Sequence, residues 1–171
     1  PSMMGFFGDT TLINGQPNVN ISASTRNYRL RLLNGSQSRI LKLAFDDGTP
    51  MVVIGVDGGL LEAPSTYPYV ILSPGERVEL WTDFTGKSLG QVITLQTQAF
   101  SNEAGPWQGD PDNLVTFTID SVEADPLTLP TTLVAMEEIY NVADATASKT
   151  YPIDLVDGQF ILNGGVFSML H

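Results

Sequence analysis

Apolar and polar residues alternate along much of the first 120 residues of the chain. Within residues 27–32 every second side chain is aromatic or aliphatic, and the positions between them hold one asparagine and two arginines. The same period of two returns in residues 78–84, 93–98 and 115–119. Because successive side chains of a strand point to opposite faces, the pattern predicts half-buried antiparallel strands, with the arginines facing outward.

Two further β-rich runs, residues 39–45 and 51–56, flank the turn-forming sequence Asp46–Pro50. This turn chemistry predicts a hairpin between the two runs. Other breaks in the strand pattern lie at residues 34–36, 57–59, 73–75 and 86–90. Short strands at this spacing, without an amphipathic helical pattern, predict an all-β fold, either a β-sandwich or a Greek-key barrel.

The sequence changes character after residue 120. Scattered prolines and the run 143–150 indicate a linker, in which residues 133–140 fit either a strand or a short helical turn. A strand-turn-strand pattern resumes over residues 153–167. Two or so strands cannot bury a hydrophobic face alone, so this tail is expected to begin another domain or to pack on the first one.

Composition and charge narrow the possible partners. The chain has 171 residues, with 8 Lys and Arg against 19 Asp and Glu, for a net charge of −11. Residues 1–87 carry seven basic and eight acidic groups, whereas residues 88–171 carry one and eleven. The excess of acidic groups argues against nucleic-acid binding. The longest apolar run, residues 51–54, is too short to span a bilayer.

The chain contains no cysteine and a single histidine, His171. Disulfides, thiolate nucleophiles, Cys/His zinc sites and a blue-copper centre are therefore excluded from this segment, because each needs ligands or nucleophiles that it lacks. We predict no catalytic, cofactor-binding or metal-binding residue in the chain. His171 itself, beside a chain end and without a partner histidine, is a poor ligand candidate.

Oxygen ligands at Asp110, Asp112 and Asn113 are spaced as in a calcium loop, but their small number favours an ordinary acidic turn. Asp57 follows an apolar run and precedes two glycines. It is a possible general acid or base, yet no second carboxylate or histidine stands near it in sequence. A hydrogen bond to the backbone of a turn is therefore the favoured role.

Two tryptophans, Trp81 and Trp107, form either a platform for sugars or an interface. Trp81 stands on the polar face of its strand, where packing under a loop or a neighbouring domain is favoured. The basic residues between 26 and 42 fit either a docking patch or a solvated strand face. Asn20 and Asn34 satisfy the glycosylation acceptor pattern, which matters only in a eukaryotic secretory pathway.

Taken in order, several runs resemble one known family. Residues 28–36, 56–61 and 72–79 are similar to the middle cupredoxin-like domain of three-domain multicopper oxidases, the family of bacterial laccases, cuprous oxidases and bilirubin oxidases. Three further segments resemble the neighbouring parts of such an enzyme. Residues 5–10 are similar to the entry into the middle domain, residues 129–133 to the linker after it, and residues 160–169 to the opening strands of the third domain.

This resemblance implies a copper-free cupredoxin-like Greek-key domain over residues 1–122, an interdomain linker over 123–150, and a truncated third domain over 151–171. Its partners would be the first and third cupredoxin domains of the same parent. Those domains hold the type 1 copper and the trinuclear copper cluster, which together oxidise phenols, aromatic amines or metal ions and reduce dioxygen to water. We expect Trp81, Trp107 or the 101–113 loop to contact a neighbouring domain.

The same resemblance implies an oxidoreductase parent that is periplasmic or secreted, and it implies that this segment is inactive alone. Two other classes compete with it. One is a free-standing β-sandwich that binds a carbohydrate or a protein through its aromatic side chains. The other is an enzyme that uses carboxylates alone, as glycosidases do, which ranks last because no pair of acids stands on converging strands.

Overall fold

A computed structural model describes residues 5–101, 108–125, 127–135 and 145–166. The chain divides into two compact units, Pro1–Ala135 and Met136–His171. In the described part of the first unit the strands are β1 (Val19–Ser24), β2 (Asn27–Leu33), β3 (Leu41–Phe45), β4 (Met51–Val56), β5 (Gly59–Tyr67), β6 (Val70–Leu72), β7 (Arg77–Asp83), β8 (Val92–Thr97) and β9 (Asp112–Ser121).

These strands form two sheets. One has the order β1-β9-β8-β3-β6, and the other has the order β2-β7-β4-β5. The pairing of β1 with β9 is parallel, and the other pairings are antiparallel. Consecutive strands repeatedly switch sheets, and the apolar faces of both sheets contribute to one core. The predicted all-β sandwich is confirmed.

The core follows the alternation that the sequence displays. On β7, Val78 and Leu80 are buried, whereas Glu79 and Trp81 reach the outer face. Four aromatic rings join the two sheets, with neighbouring centroids 5.5 to 6.3 Å apart; they are Tyr28, Phe45, Phe84 and Phe117. Full burial of one such ring stabilises the fold by about 1.5–3 kcal/mol.

The predicted hairpin at Asp46–Pro50 is wrong. Strand β3 pairs with β8 and β6, while β4 pairs with β7 and β5, so this turn carries the chain from one sheet to the other. Asp46 explains why, since its backbone N–H donates to Thr94 O at 2.9 Å and its carboxylate accepts the Thr94 N–H at 2.8 Å. The end of β3 is thereby fixed to β8, and the chain leaves that sheet.

Asn34 lies at the end of β2 with only 2% of its surface exposed. Its Nδ2 donates to the carbonyl oxygens of Arg39 and Leu72 at 2.8 and 2.9 Å. Its Oδ1 accepts the backbone N–H and the hydroxyl of Ser36 at 3.0 and 2.6 Å. Because the amide is enclosed and bonded, it is not available for glycosylation in the folded chain; Asn20, the other acceptor pattern, is exposed on edge strand β1.

After β9 the chain turns back over the outer face of the four-stranded sheet. We call residues 123–125 and 127–133 the strap. At its start Glu123 pairs with Arg26, with 3.1 Å between Oε2 and Nη1. At its end the Leu133 N–H donates to Glu62 O at 2.8 Å. Arg26 immediately precedes edge strand β2 and Glu62 belongs to edge strand β5, so the strap crosses the whole sheet.

In the described part of the second unit a three-stranded meander forms from β10 (Ile153–Val156), β11 (Gln159–Leu162) and β12 (Gly165–Val166). Both of its turns carry two successive residues with positive φ, Asp157-Gly158 and Asn163-Gly164, as the tightest hairpins require. Most of residues 133–140 lie outside the described residues, and the division at 122 and 150 stays a prediction. Among the described residues there is no helix long and apolar enough to cross a bilayer.

Candidate functional site

Trp81 occupies the centre of the outer face of the four-stranded sheet. Strand register places it beside Arg29 on β2 and Val52 on β4. Its neighbours in sequence, Leu80 and Thr82, are fully buried on the opposite face. The strand that anchors Trp81 is therefore held from below by the core, and the indole is presented outward. The second predicted contact, Trp107, lies outside the described residues.

A cleft of about 770 Å³ opens around Trp81. Its floor is the sheet, and its walls are the turn at residues 47–50, the turn at residues 83–87 and the strap. The charged side chains that line it are Asp47, Asp83, Lys87 and Asp125. Three carboxylates against one ammonium give the cleft a net negative charge at neutral pH.

One wall of the cleft is held by an ion pair. Lys87 Nζ lies 2.6 Å from Asp47 Oδ2, and the two side chains are 21% and 19% exposed. The Thr49 backbone N–H donates to Asp47 Oδ1 at 3.0 Å. Burial alone would raise the pKa of the Asp47 carboxyl, but the hydrogen bonds from Lys87 and Thr49 outweigh burial, so this pKa lies below its ordinary value.

The opposite wall is held by Asp125. Its Oδ2 accepts the backbone N–H of Asn27 on β2, and its Oδ1 accepts the Leu127 N–H at 2.9 Å. Asn27 Nδ2 also donates to Leu127 O at 3.4 Å. These two N–H groups favour the ionised carboxylate, so the pKa of Asp125 lies below its ordinary value. The strap is thus bonded to the sheet beside Trp81.

The basic residues of β2 are compensated within the fold. Arg29 donates to Glu79, and Arg31 Nε lies 3.5 Å from Glu79 Oε1. Arg26 pairs with Glu123 of the strap. Because these guanidinium groups already have carboxylate partners, the solvated-face interpretation of this segment fits the structure better than a docking patch for an acidic partner.

Two further acidic candidates, Asp57 and Asp112, bond within the fold. Asp57 accepts the Arg77 backbone N–H at 3.0 Å and pairs with the Arg77 guanidinium at 2.8 Å. It therefore ties the end of β4 to the start of β7, rather than bonding its own turn. Asp112 accepts a hydrogen bond from the Thr11 hydroxyl as β9 begins. Among the described residues no three His, Cys, Asp or Glu side chains converge as metal ligands would.

A second surface feature is an apolar groove of about 420 Å³ between edge strands β5 and β6. Tyr67, Tyr69 and Ile71 line it and are exposed. Sequence reasoning missed this groove and the Asp125 bonds, because both depend on which strands become sheet edges. The one local signal was the aromatic-rich run between two strands at residues 67–69.

Comparison with known proteins gives a consistent likeness over nearly the whole chain. Cell division protein FtsP of Dickeya dadantii is 33% identical over an alignment of 178 residues, which covers 99% of the chain and 36% of that protein. FtsP of Escherichia coli is 44% identical over 85 residues, or 50% of the chain. No family model matches the chain.

Solved structures give a similar result. A 2F4 variant of the McoA multicopper oxidase from Aquifex aeolicus is 30% identical with a TM-score of 0.84, covering 96% of the chain and 36% of that protein. A laccase from Pediococcus acidilactici is 30% identical with a TM-score of 0.78, covering 98% and 34%. The chain thus spans about a third of the length of these relatives.

Proposed function

The chain is a cupredoxin-like domain of the multicopper-oxidase type, and on that premise we propose that residues 1–122 serve as the copper-free middle domain of a longer protein. In this role the sandwich holds two flanking domains in position and takes no direct part in electron transfer. The observation that carries the proposal is a likeness to copper proteins over nearly the whole of a chain that contains no cysteine.

Copper chemistry does not fit the residues of this chain. A type 1 copper needs a thiolate and two imidazoles, and a trinuclear cluster needs several imidazoles. The chain offers one histidine and no cysteine. We therefore assign the copper sites to the rest of the longer protein, in flanking domains that are the partners of this one.

The meander of the second unit supports a further domain that begins near residue 151. Its register places Ile153, Leu155, Phe160 and Leu162 on one face, at exposures of 72, 64, 64 and 39%. An apolar sheet face of this kind is stable only when another layer covers it. We assign that cover to later strands of the same domain in the longer protein.

We assign the Trp81 cleft to contact with a flanking domain, since a large aromatic side chain on an outer sheet face is typical of an interface. In the longer protein, Trp81→Ala should lower the melting temperature and loosen domain packing, measured by calorimetry and small-angle scattering. Tyr151→Ala, which removes an aromatic side chain from the second unit, is the control. Unchanged melting and scattering for Trp81→Ala would contradict this assignment.

Two activities are open to the longer protein. The first, which we favour from the solved relatives, is laccase-like oxidation of phenols, aromatic amines or metal ions with reduction of dioxygen to water. The second is a role in cell division without electron transfer, which the FtsP likeness supports. Copper content and oxygen uptake with a phenolic substrate separate them, because the first requires both and the second requires neither.

We propose a periplasmic or secreted location for the longer protein, as its relationship to multicopper oxidases suggests. Fractionation of cells that express the longer protein tests this, with a cytoplasmic enzyme as the marker. Recovery in the cytoplasmic fraction would contradict it.

A further inference from the structure

The strap bonds one end of a sheet edge that has no strand partner. Strand β2 pairs only with β7 in the described sheet, so its other edge has no strand partner. The Phe84 N–H donates to Arg26 O at 3.1 Å, which shows that residue 26 faces β7. Because backbone groups of a strand alternate in direction, the Asn27 N–H points to the free edge. The Asp125 carboxylate satisfies this N–H in place of another strand.

Asp125 is the point where the strap and the sheet meet through one side chain. One of its oxygens bonds the sheet at Asn27, and the other bonds the strap at Leu127. A carboxylate can accept both bonds because each oxygen carries its own lone pairs, and bonds to an ionised acceptor are the stronger kind. On either side the strap is held by Glu123 and by Leu133, as described above.

We propose that the strap can detach from the sheet. The ionised Asp125 carboxylate holds the strap there through its bonds to Asn27 and Leu127, which we call the clasp, and loss of that carboxylate releases the strap. Release opens one wall of the Trp81 cleft. It also moves the point at which the chain leaves the sandwich, from beside Glu62 on β5 back to Glu123, which stays bonded to Thr25 and Arg26. The device is a property of this unit alone and does not depend on the role proposed for the longer protein.

The surrounding charges set the conditions for release. Two charged groups lie near Asp125 at the start of the strap, namely Glu123 and its partner Arg26. Three others, Asp47, Asp83 and Lys87, line the same cleft. The backbone bonds from Asn27 and Leu127, helped by the charge of Arg26, hold the pKa of Asp125 below 3.8. A lowered folded-state pKa means that the clasp is intact above pH 3.8 and is lost as pH falls through the folded pKa.

The test uses the chain with Trp107→Phe, which leaves Trp81 as its one tryptophan. Asp125→Ala removes the clasp, and Asp120→Ala removes an equal charge from an exposed residue at the end of β9. Amide exchange at Asn27, Leu127 and Leu133 is followed by NMR, and Trp81 exposure by acrylamide quenching. Asp125→Ala should speed exchange at Leu133 at least tenfold and raise quenching, while Asp120→Ala changes neither.

Unchanged Leu133 exchange and unchanged quenching in folded Asp125→Ala would overturn the proposal. Should that variant fail to fold, an acid titration of the Asp125-containing chain decides instead. Leu133 must then lose protection, relative to the core amide of Leu80, as pH falls below 3.8. Simultaneous loss of protection at Leu133 and Leu80 would show that the strap does not detach on its own.

Discussion

At the scale of single residues, Asn34 shows how one buried amide organises several loops. Its side chain bonds the carbonyl oxygens of Arg39 and Leu72, and its backbone bonds the turn at residues 75–76. The sequence marks this position as a break between strands and as a glycosylation acceptor pattern, and neither feature predicts its burial. An asparagine in a loop is usually solvated, so its burial depends on distant segments that local sequence does not encode.

Replacing Asn34 by alanine should lower the free energy of unfolding by roughly 1–3 kcal/mol, since it removes the amide that donates to the buried Leu72 carbonyl oxygen, whereas Arg39 O keeps the Ser36 hydroxyl as a donor. The measurement is urea denaturation of the chain. Asn20→Ala is the control because Asn20 is exposed on an edge strand, and its cost should stay within about 0.5 kcal/mol. Equal effects of the two substitutions would contradict the structural role of Asn34.

The pair of Lys87 and Asp47 makes a prediction about pH. The pKa of Asp47 is lowered in the fold, so the pair contributes stability above pH 3.8 that is lost as pH falls through the folded pKa. Lys87→Met should cost about 1–2 kcal/mol at neutral pH, because Asp47 stays partly buried without its ammonium partner. That cost should shrink toward zero in acid.

Denaturation curves at neutral and acid pH check this prediction. The matched control is Lys149→Met, which removes the same charge from an exposed residue of the second unit. A cost of Lys87→Met that does not change between the two pH values would show that the ion pair is not its cause.

At the scale of elements, the alternation of apolar and polar residues predicted where several strands lie but did not predict which strands pair with each other. The runs around Leu30, Leu80, Leu95 and Phe117 became β2, β7, β8 and β9, because a half-buried strand must alternate. The predicted hairpin between β3 and β4 is wrong because turn residues favour a change of chain direction but do not determine which sheet the next strand joins. The strap was missed since its bonds join residues that lie far apart in sequence, such as Asn27 and Asp125.

The meander of the second unit makes a prediction of its own. Phe160→Ser should reduce binding of a hydrophobic dye such as ANS, because Phe160 belongs to an uncovered apolar face. Its cost in the urea unfolding of the first unit should be negligible. Gln159→Ser alters the opposite face of the same strand and should leave dye binding unchanged. Unaltered dye binding in Phe160→Ser would indicate that the face is already covered.

At the scale of the whole molecule, composition and fold point to different chemistry. The fold is that of copper proteins, with TM-scores of 0.84 and 0.78 to two of them. The composition lacks the thiolate and most of the imidazoles that hold copper. A domain can keep the scaffold of an enzyme family and lose or never hold its metal, because function belongs to sites built on a fold.

The copper content of the isolated chain tests the copper-free assignment most directly. It is measured by mass spectrometry after incubation with copper and desalting, with the longer protein in parallel. We expect no stoichiometric copper and no blue absorption band for the 171-residue chain. One copper ion retained per chain, with saturable binding and a blue band, would contradict the assignment of this domain as the copper-free part of its protein.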